Sequence, residues 1–487
     1  MTTSSIPEFS ALRKVHFVGV GGIGVSAILR LFAARGIAVS GSDLHAPAVD
    51  RLPAGSYFAG HDSAHVPHDA DLIVYSPAAG EANPERVAGK SLGIPELSYP
   101  QALAFVTKQH NTIAISGTHG KSTTTALAGK LFEAGGLDPS VVVGAEVPGW
   151  KDYNLRQGKS DLFLVEACEY RRNMLNLTPQ TIVLTNIELD HPDYYTDLAD
   201  VKDAFREYVG KLAGEDLLIV NNDDANIRDV IRETDAIVLR YGVGDGADLS
   251  TRDVRQTEDG QTFDLVWHGT LLGTFSTLLP GTYNIYNILA AVSAYLAYGG
   301  KSEAIQSVLD VFAGVGRRFE VVGTIGHATV ISDYAHHPTA LAAVVEAARA
   351  RYKDKRLLVV FRPHHRERTI KLFDRFVAVV AMIPHLILIE IYDVAGREEG
   401  VTISSNDVIE KVRGEHPEND LVYAADLEEA EAIIRREIDH FDVVLVIGAG
   451  DADVLARELT KEDRTEDARI AEQVDHLNEL SGTSSLS

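Results

Sequence analysis

The sequence predicts an α/β protein built from three domains, and three observations support this prediction. The chain has 487 residues, which is too long for a single hydrophobic core because domains contain roughly 150 residues each. Short apolar runs alternate with helical patterns through most of the sequence, as in parallel sheets covered by helices. Two of the strand-to-helix junctions are rich in glycine, which allows backbone N–H groups to surround phosphate oxygens.

The composition is that of an ordinary globular protein, with 45% hydrophobic and 24% charged residues. We find no run of about 18 apolar residues, so we expect no membrane span. The segment Met1–Ser10 is polar and lacks the basic-then-apolar pattern of a signal peptide. Cys168 is the single cysteine, so an intrachain disulfide is impossible. These features suit a reducing compartment and predict a cytoplasmic location.

The chain is strongly acidic, which limits its partners. It contains 45 Lys and Arg against 70 Asp and Glu, a formal net charge of −25. An acidic surface repels phosphate backbones, so nucleic acid is excluded as a partner. A small molecule that carries phosphate groups must then be held locally, by backbone amides and a few well-placed cations.

Domain boundaries are expected where the strand and helix pattern is interrupted. One interruption is a polar stretch before residue 110, and the other is a turn containing Gly and Arg before residue 320. Residues 463–487 are charged and then rich in Ser and Gly, which predicts a disordered tail. The predicted domains are 1–109, 110–319 and 320–462.

The first domain opens with a buried strand, Val15–Val20, followed by a glycine-rich turn and a helix. Gly19, Gly21 and Gly24 satisfy the pattern G-x-G-x-x-G after a strand. Asp43 lies at about the right distance downstream to meet a ribose hydroxyl. The pattern predicts a Rossmann-like domain, and the motif alone favours a dinucleotide ligand.

The strongest local signal lies between the buried strand Thr112–Ser116 and a helical pattern over Lys121–Ala134. This junction consists of Gly117, Thr118, His119, Gly120, Lys121, Ser122 and Thr123. Lys121 can neutralise the β- and γ-phosphates of ATP, and Ser122 can ligate Mg²⁺. The general P-loop pattern has a glycine six residues before the lysine, where this chain has Ile115. The surroundings nevertheless predict a central parallel sheet of the P-loop ATPase type.

Two further residues are expected to act with a metal-bound nucleotide. Glu166 ends one apolar strand, and His191 follows another. Because ligands gather at the carboxyl ends of parallel strands, both side chains should lie near the glycine junction. A carboxylate suits Mg²⁺, and an imidazole can hold a second ion or its water. The sequence therefore predicts a metal site formed by Ser122, Glu166 and His191.

The remaining elements extend the α/β pattern. Residues 248–280 alternate as short strands with turn residues, which predicts an antiparallel side sheet beside the central one. A helix rich in alanine is expected from Asn284 to about Tyr298. The third domain is predicted to be a second Rossmann-like unit, with strands at 328–331, 356–361, 386–391 and 443–447.

Four blocks of the sequence resemble the Mur ligase family of ATP-dependent amide-bond ligases. They read G-T-H-G-K-S-T, N-I-E-L-D-H, P-G-T-Y-N-I-Y-N and D-Y-A-H-H-P-T, at Gly117–Thr123, Asn186–His191, Pro280–Asn287 and Asp333–Thr339. Their order and separation fit the three domains of the family, so the resemblance covers nearly the whole chain. It implies that ATP and Mg²⁺ convert a carboxylate into an acyl phosphate, which an amine then attacks.

The first glycine motif is similar to that of family members that bind a UDP-linked muramic acid and add L-alanine to it. The resemblance redirects the motif from a dinucleotide to UDP, whose diphosphate makes similar demands. The implied contacts with the UDP-sugar are Gly19, Gly21, Gly22, Gly24, Ser26, Asp43 and Ser76.

The resemblance also implies roles around ATP. Two asparagines would lie near the adenine and the metal, one of two arginines would contact a phosphate, and an aspartate would meet the ribose. These residues are Asn284, Asn287, Arg317, Arg318 and Asp333. His336 and Arg368 would approach the reacting carboxylate or the amino acid. The implied catalytic set is Lys121, Glu166, His191, His336 and Arg368.

The chain departs from the family pattern at several positions. Tyr283 stands where histidine is common, and Cys168 stands where aspartate is common in the stretch Glu166–Glu169. Arg362 and His365 replace the usual glutamine and arginine. These changes leave the ATP chemistry intact, but they leave the choice of amino acid open.

Three other functions also stay open. A Mur-type ligase that attaches a whole tripeptide to the same UDP-sugar would share every ATP residue, and the stretch Glu169–Asn173 differs from the usual alanine-adding pattern. A nucleotide-dependent oxidoreductase is suggested by the first glycine motif, but it leaves Lys121 unexplained. A catalytically silent UDP-sugar-binding protein is opposed by the presence of Lys121, Glu166 and His191 together.

Overall fold

The chain folds into three successive α/β units. We describe them from a computed structural model, which covers residues 6–45, 52–257, 259–393 and 402–461. Its strands form sheets of five, ten and six strands, one after another along the chain. This confirms the predicted three-part α/β architecture. The tail predicted at 463–487 lies outside the described residues.

The first sheet is parallel throughout, with the strand order β3-β2-β1-β4-β5. Its elements are β1 (Lys14–Val18), α1 (Ile23–Ala34), β2 (Ala38–Asp43), β3 (Tyr57–Ala59), β4 (Leu72–Tyr75), α2 (Pro84–Leu92), β5 (Glu96–Ser98) and α3 (Tyr99–Thr107). Strand β1 lies at the centre, and every residue after its first is buried. It ends two residues earlier than expected because Gly19 turns the backbone with a φ of +88°.

The second sheet has a parallel core and an antiparallel extension. Its strands are β6 (Asn111–Ser116), β7 (Ser140–Val142), β8 (Leu155–Arg156), β9 (Leu162–Ala167), β10 (Thr181–Leu184), β11 (Leu217–Asn221), β12 (Ile237–Gly242), β13 (Leu249–Gln256), β14 (Gln261–Trp267) and β15 (Thr270–Thr277). They run in the order β15-β14-β13-β12-β11-β10-β6-β9-β7-β8. The predicted side strands β13, β14 and β15 form an antiparallel meander that continues this sheet through β12.

Helices cover both faces of the second sheet. They are α4 (Lys121–Ala134), α5 (Leu198–Val209), α6 (Ala225–Val230), α7 (Thr282–Ala297) and α8 (Glu303–Leu309), and a 3-10 helix, Tyr170–Asn176, follows β9. Helix α4 packs along α7 because both are rich in small buried residues on the facing sides. The two helices cover one face of the sheet beside the glycine junction.

The third sheet contains one antiparallel edge strand, β16, and five parallel strands, in the order β16-β17-β21-β18-β19-β20. Its elements are β16 (Glu320–Ile325), β17 (Ala328–Asp333), α9 (Pro338–Arg351), β18 (Leu357–Arg362), α10 (Arg366–Lys371), α11 (Phe373–Ala381), β19 (His385–Ile389), α12 (Ser405–Glu415), β20 (Asp420–Ala424), α13 (Leu427–Glu437), β21 (Val443–Gly448) and α14 (Ala452–Leu459). Across the described ranges, none of the helices combines the length and apolar character that crossing a membrane requires.

A buried polar contact joins the first unit to the second. Arg30 of α1 donates to Asn154 Oδ1 at 2.5 Å and also to the carbonyl of Asp152. Asn154 Nδ2 donates in turn to the carbonyl of Ile23, at 3.1 Å. Because Ile23 is the first residue of α1, this contact fixes the first glycine junction relative to the central sheet.

Candidate active site

The junction between β6 and α4 can be formed only by glycine at two positions. Gly117 has a φ of +132°, and a Cβ there would lie 2.1 Å from Thr185 Oγ1. Gly120 has a φ of +85°, and its Cβ would lie 2.2 Å from Asn287 Oδ1. Side chains disfavour both the backbone conformation and the close approach. The result is a tight loop of backbone at the N-terminus of α4, which suits an anion.

Lys121 lies over this loop and is held by three acceptors. Its Nζ donates to the carbonyls of Gly117 and Thr118, at 2.5 and 3.0 Å, and to Glu169 Oε2 at 2.7 Å. Burial alone lowers the pKa of Lys121, but the carboxylate of Glu169 and neighbouring acidic groups raise it above its usual value. Lys121 therefore stays charged in this cleft.

Glu169 is a site residue that the sequence did not identify. Besides accepting from Lys121, it places Oε1 3.3 Å from His191 Nε2. Its side chain is 3% exposed, and although burial raises the pKa of a carboxylate, the charge of Lys121 and the hydrogen bond with His191 lower the pKa of Glu169 below its usual value. A signal was present, since Glu169 closes the stretch that begins at Glu166, but nothing in that stretch indicated its partners.

Glu166 lies at the carboxyl end of β9, beside the glycine junction. Its Oε1 accepts from the backbone N–H of Gly144 at 2.5 Å. Burial raises the pKa of Glu166, while the Gly144 N–H, the charge of Lys121 and a hydrogen bond with Ser122 lower it only in part. A carboxylate shielded from solvent and a neighbouring hydroxyl provide the oxygen ligands that a hard cation such as Mg²⁺ prefers.

His191 reaches the same region from the loop after β10. Its backbone has a φ of +55°, and its ring lies 4.6 Å from the ring of Tyr170. Through Glu169, the imidazole is connected to Lys121. The structure thus brings four predicted residues to one edge of the sheet, namely Lys121, Ser122, Glu166 and His191, and the side chains present fit a metal-bound phosphate.

Asn284 and Asn287 lie under the glycine junction. Asn287 Nδ2 donates to Asn284 Oδ1 at 3.0 Å, and Asn287 Oδ1 accepts from Thr124 Oγ1 at 3.3 Å. Both side chains are buried. In this arrangement the asparagines support the loop that contains Gly120 from below.

The first residues of the third unit face the same cleft. The guanidinium groups of Arg317 and Arg318 lie over the ring of Tyr334, at 4.7 and 4.6 Å from its centre. Asp333 accepts from two backbone N–H groups at 2.7 Å. Burial raises the pKa of Asp333, and the nearby charge of Arg318 offsets this in part. Arg318 also lowers the pKa of Glu166, which places its charge near the predicted metal site.

Asp190 joins the central loop to the third unit. Its Oδ1 accepts from Arg368 Nη2 and Nε, at 2.7 and 2.9 Å, and both side chains are nearly inaccessible to solvent. Burial raises the pKa of a carboxylate, but the charge of Arg368 holds the pKa of Asp190 well below its usual range. This buried ion pair holds Arg368 beside Asp190, the residue that directly precedes His191.

His336 lies on the other side of the same carboxylate, with Nε2 3.9 Å from Asp190 Oδ2. Burial and the charge of Arg368 hold the pKa of His336 well below its usual value, so the ring is neutral. Its Nδ1 lies 3.0 Å from the carbonyl of Tyr334, which places the proton on that nitrogen. The Nε2 atom is left as an acceptor near Asp190.

The first glycine junction has a different character. A Cβ at Gly19 would lie 2.6 Å from Ser76 Cβ, so Ser76 closes over the turn. The N–H of Gly21 donates to Asp43 Oδ2 at 2.7 Å. Gly22 precedes the first residue of α1. The predicted residues of this motif therefore do lie together, and the carboxylate of Asp43 orients the turn.

Tyr99 lies beside the first glycine junction. A Cβ at Gly24 would lie 2.5 Å from Tyr99 Cζ, so the tyrosine ring packs directly on the first junction. Burial raises the pKa of Tyr99, and the charge of Glu166 contributes to the shift. Ser26 Oγ donates to the carbonyl of Ile23 at 3.1 Å, within the first turn of α1. Tyr99 and the first turn of α1 thus pack around the first junction.

Three family models match successive parts of the chain. The Mur ligase family catalytic domain matches residues 14–111, the Mur ligase middle domain matches residues 115–295, and the glutamate ligase domain of Mur ligases matches residues 317–450. The matches follow the three sheets in order.

Curated relatives match over nearly their whole length. The UDP-N-acetylmuramate–L-alanine ligase of Alkaliphilus metalliredigens is 34% identical over 93% of this chain and 98% of its own. The enzyme of the same name from Clostridium tetani is 35% identical over 90% of this chain and 96% of its own.

Solved structures support the fold. The chain is similar to the UDP-N-acetylmuramate–alanine ligase of Thermotoga maritima, with a TM-score of 0.77, 22% identity, and coverage of 93% of this chain and 99% of that one. A murein peptide ligase from Psychrobacter arcticus gives a TM-score of 0.69 at 21% identity, over 92% of this chain and 98% of that one. On the family models and the curated relatives, the chain belongs to the Mur ligase family.

Proposed function

We propose that the chain is an ATP-dependent, ADP-forming ligase that joins L-alanine to the carboxylate of UDP-N-acetylmuramate, a step in the synthesis of peptidoglycan precursors. The names and near-complete coverage of its curated relatives support this assignment. The observation that carries it is the meeting of Lys121, Glu166, Glu169 and His191 at one glycine junction. A cytoplasmic location fits these substrates.

Each of the three units would have its own role in binding the substrates. The first unit would hold the UDP-sugar on the turn closed by Ser76 and Asp43. The central unit would hold ATP on the loop under Lys121. The third unit would complete the site, because Arg368 forms an ion pair with Asp190 of the central unit.

A carboxylate resists attack by an amine because its negative charge repels the nucleophile and its oxygen is a poor leaving group. In the proposed reaction the muramate carboxylate attacks the γ-phosphate of ATP, and the resulting acyl phosphate reacts with the amino group of L-alanine and releases phosphate. Mg²⁺, when bound by Ser122, Glu166 and His191, would supply positive charge to the phosphate oxygens. Lys121 would stabilise the negative charge that the phosphate oxygens carry during the transfer.

The third unit can orient the amino acid. His336 is neutral and leaves Nε2 as an acceptor, which suits an amino group. Arg368 is held by Asp190 and cannot swing freely, so it acts as a fixed positive charge beside this region. Holding all reactants in place can contribute about 7–11 kcal/mol to lowering the barrier.

The competing assignment is a ligase that adds a preformed peptide to the same UDP-sugar. The solved structure of a ligase of UDP-N-acetylmuramate with L-alanyl-γ-D-glutamyl-meso-diaminopimelate, from Neisseria, has a TM-score of 0.57 and 25% identity, over 63% of this chain. Both assignments use the same ATP residues. They differ in the acceptor amine, so they can be separated by experiment.

The test is the release of ADP with UDP-N-acetylmuramate, ATP and Mg²⁺ in the presence of one amine at a time. We expect rapid release with L-alanine and little with glycine, L-serine or the tripeptide. Preference for the tripeptide would replace the proposal with the peptide-adding ligase. Absence of ADP release with every amine would favour a silent binding protein, and reduction of a nicotinamide cofactor would favour an oxidoreductase.

A further inference from the structure

Two histidines and a glutamate meet where the central and third units touch. His119 lies in the glycine junction, Glu188 lies in the loop after β10, and His337 precedes α9. One potential ligand atom from each lies within 4.8 Å of those from the other two. Over the four described ranges of the chain, this is the single group of three or more His, Cys, Asp or Glu residues with such spacing.

The distances around Glu188 suit an ion. Its Oε2 atom lies 3.2 Å from His119 Nε2 and 3.6 Å from His337 Nδ1. Nitrogen and oxygen ligands lie about 2.0–2.2 Å from zinc, so in a tetrahedral site they are separated from one another by about 3.3–3.6 Å. Two of the three ligand pairs are therefore near the spacing that a bridging ion would impose, and the two imidazole nitrogens lie within 4.8 Å of each other.

The two carboxylate oxygens of Glu188 have different surroundings. Oε1 accepts from Thr339 Oγ1 at 2.8 Å and from the guanidinium of Arg375. Oε2 faces the two imidazoles. In metal sites, outer hydrogen bonds of this kind orient a carboxylate ligand and leave its other oxygen to the ion.

His337 has the tautomer that ligation requires. Its Nε2 lies 3.1 Å from the carbonyl oxygen of Leu189, so this nitrogen carries the proton. Its Nδ1 keeps a lone pair, which accepts a 3.3 Å hydrogen bond from the N–H of Thr339 and lies 3.6 Å from Glu188 Oε2. Histidine ligands of metals commonly donate their other N–H to a backbone carbonyl in this way.

The cluster is also accessible on one side. The side chain of His337 is 1% exposed, whereas those of His119 and Glu188 are 27% and 24% exposed. An ion can therefore enter from the cleft, and a water molecule can complete its coordination.

We propose that His119, Glu188 and His337 form a binding site for a borderline divalent metal ion such as Zn²⁺, separate from the magnesium site of the reaction. Two imidazoles and one carboxylate favour such an ion over Mg²⁺, which prefers oxygen ligands. The ion connects the glycine junction to the start of α9 and so holds the central and third units together. The site does not depend on which amine the ligase uses.

The test uses the full chain, freed of metals with a chelator and then titrated with Zn²⁺ in excess Mg²⁺. We expect one Zn²⁺ bound per chain, an increase in Tm, and, with Co²⁺ instead, the intense visible absorption of a tetrahedral ion. His119→Asn and Glu188→Gln should each weaken Zn²⁺ binding more than the roughly 10–100-fold that loss of an outer partner costs. His385→Asn, at an exposed histidine 3.5 Å from Asp420, is the matched control and should bind as the unmodified chain does.

Three results would overturn the proposal. They are removal of Zn²⁺ by excess Mg²⁺, a Co²⁺ spectrum typical of octahedral coordination, and equal Zn²⁺ affinity in both variants and the unmodified chain. The first two are measured on the unmodified chain, so they do not depend on the folding of a variant. Because every readout is metal binding or Tm, a failure here leaves the ligase assignment untouched.

Discussion

The two glycine junctions begin alike and differ in what surrounds them. Each follows a buried parallel strand, and each starts with a glycine of positive φ, +88° at Gly19 and +132° at Gly117. Residues 19–26 include no lysine or arginine, and the N–H of Gly21 is bound by the carboxylate of Asp43. The central junction carries Lys121 and faces Glu166 and Glu169.

This difference separates binding from chemistry. A turn of backbone N–H groups without its own cation can hold a diphosphate that does not react. A turn with a fixed cation and a metal-binding carboxylate can stabilise a phosphate during transfer. Variants of the central junction should therefore lower turnover, whereas variants of the first junction should weaken binding of the UDP-sugar.

The largest effect is expected for Lys121→Ala. The charge that supports the transferring phosphate is lost, so kcat should fall by about 100–1000-fold. The measurement is ADP release at saturating substrates, with circular dichroism to check folding. Lys130→Ala is the control, because Lys130 is on the same helix but lies 5.6 Å from the Trp150 ring, away from the loop. Near-normal turnover in Lys121→Ala would refute the assigned role.

The next effect concerns the support of the first junction by Glu85. This buried carboxylate accepts from Ser42 Oγ at 2.5 Å and lies 3.1 Å from His16 Nε2 and 3.0 Å from His65 Nδ1. Burial raises the pKa of a carboxylate, but these hydrogen bonds lower the pKa of Glu85 from 4.5 to about 2. At about 1.4 kcal/mol per pH unit, the shift corresponds to roughly 3 kcal/mol of stability.

Because the folded-state pKa is the lower one, this stability is present above pH 4.5 and is lost as the pH falls from 4.5 toward 2. We expect Glu85→Gln to unfold at lower urea concentration than the unmodified chain at pH 7, with the difference shrinking in acid. Glu81→Gln, at an exposed position of the preceding turn, is the control. A difference that is constant with pH would contradict the assigned hydrogen bonds.

Two glycine substitutions distinguish the effect of backbone strain on stability from an effect on ATP binding. Gly36 and Gly120 have φ of +82° and +85°, so the backbone strain alone should cost about 1–2 kcal/mol of stability in Gly36→Ala and in Gly120→Ala. A Cβ at Gly36 would have no atom of the described residues within 4 Å, whereas a Cβ at Gly120 would meet Asn287. Only Gly120→Ala should raise the KM for ATP, by about tenfold or more. Equal KM values for ATP in the two variants would argue against ATP at this loop.

The effect of Asp43→Ala should be confined to the first junction. The variant loses a charge-assisted hydrogen bond to Gly21, worth about 1.5–3 kcal/mol. The KM for the UDP-sugar should rise at least tenfold, while the KM for ATP and kcat stay within about twofold. Asp69→Ala, at an exposed aspartate paired with Lys14, is the control. A selective rise in the KM for ATP would indicate that the first junction binds ATP and not the UDP-sugar.

The parallel strands and both glycine junctions could be predicted from the sequence because their signals are local. Helix α4 spans the expected residues, Lys121–Ala134, since a glycine with positive φ precedes it and an apolar face continues through it. Glu169 was missed because its role depends on how the chain turns after β9, where Arg171 and Arg172 have φ of +50° and +57°.

Contacts between the units also could not be predicted from local sequence patterns. The ion pair of Asp190 and Arg368 joins residues 178 positions apart, and no periodicity in the sequence marks either partner for the other. The cluster of His119, Glu188 and His337 likewise combines three motifs that lie far apart in the chain. Such contacts depend on the docking of complete sheets, which single motifs do not encode.

The transfer of phosphate to the muramate carboxylate is tested most directly by following oxygen. UDP-N-acetylmuramate labelled with ¹⁸O in its carboxylate is incubated with the chain, ATP, Mg²⁺ and L-alanine. The masses of the products are then measured by mass spectrometry. We expect one labelled oxygen in each phosphate released, with unlabelled ADP, because the attacking carboxylate oxygen leaves with the phosphate. Label in AMP, or unlabelled phosphate released as the amide forms, would contradict the proposal.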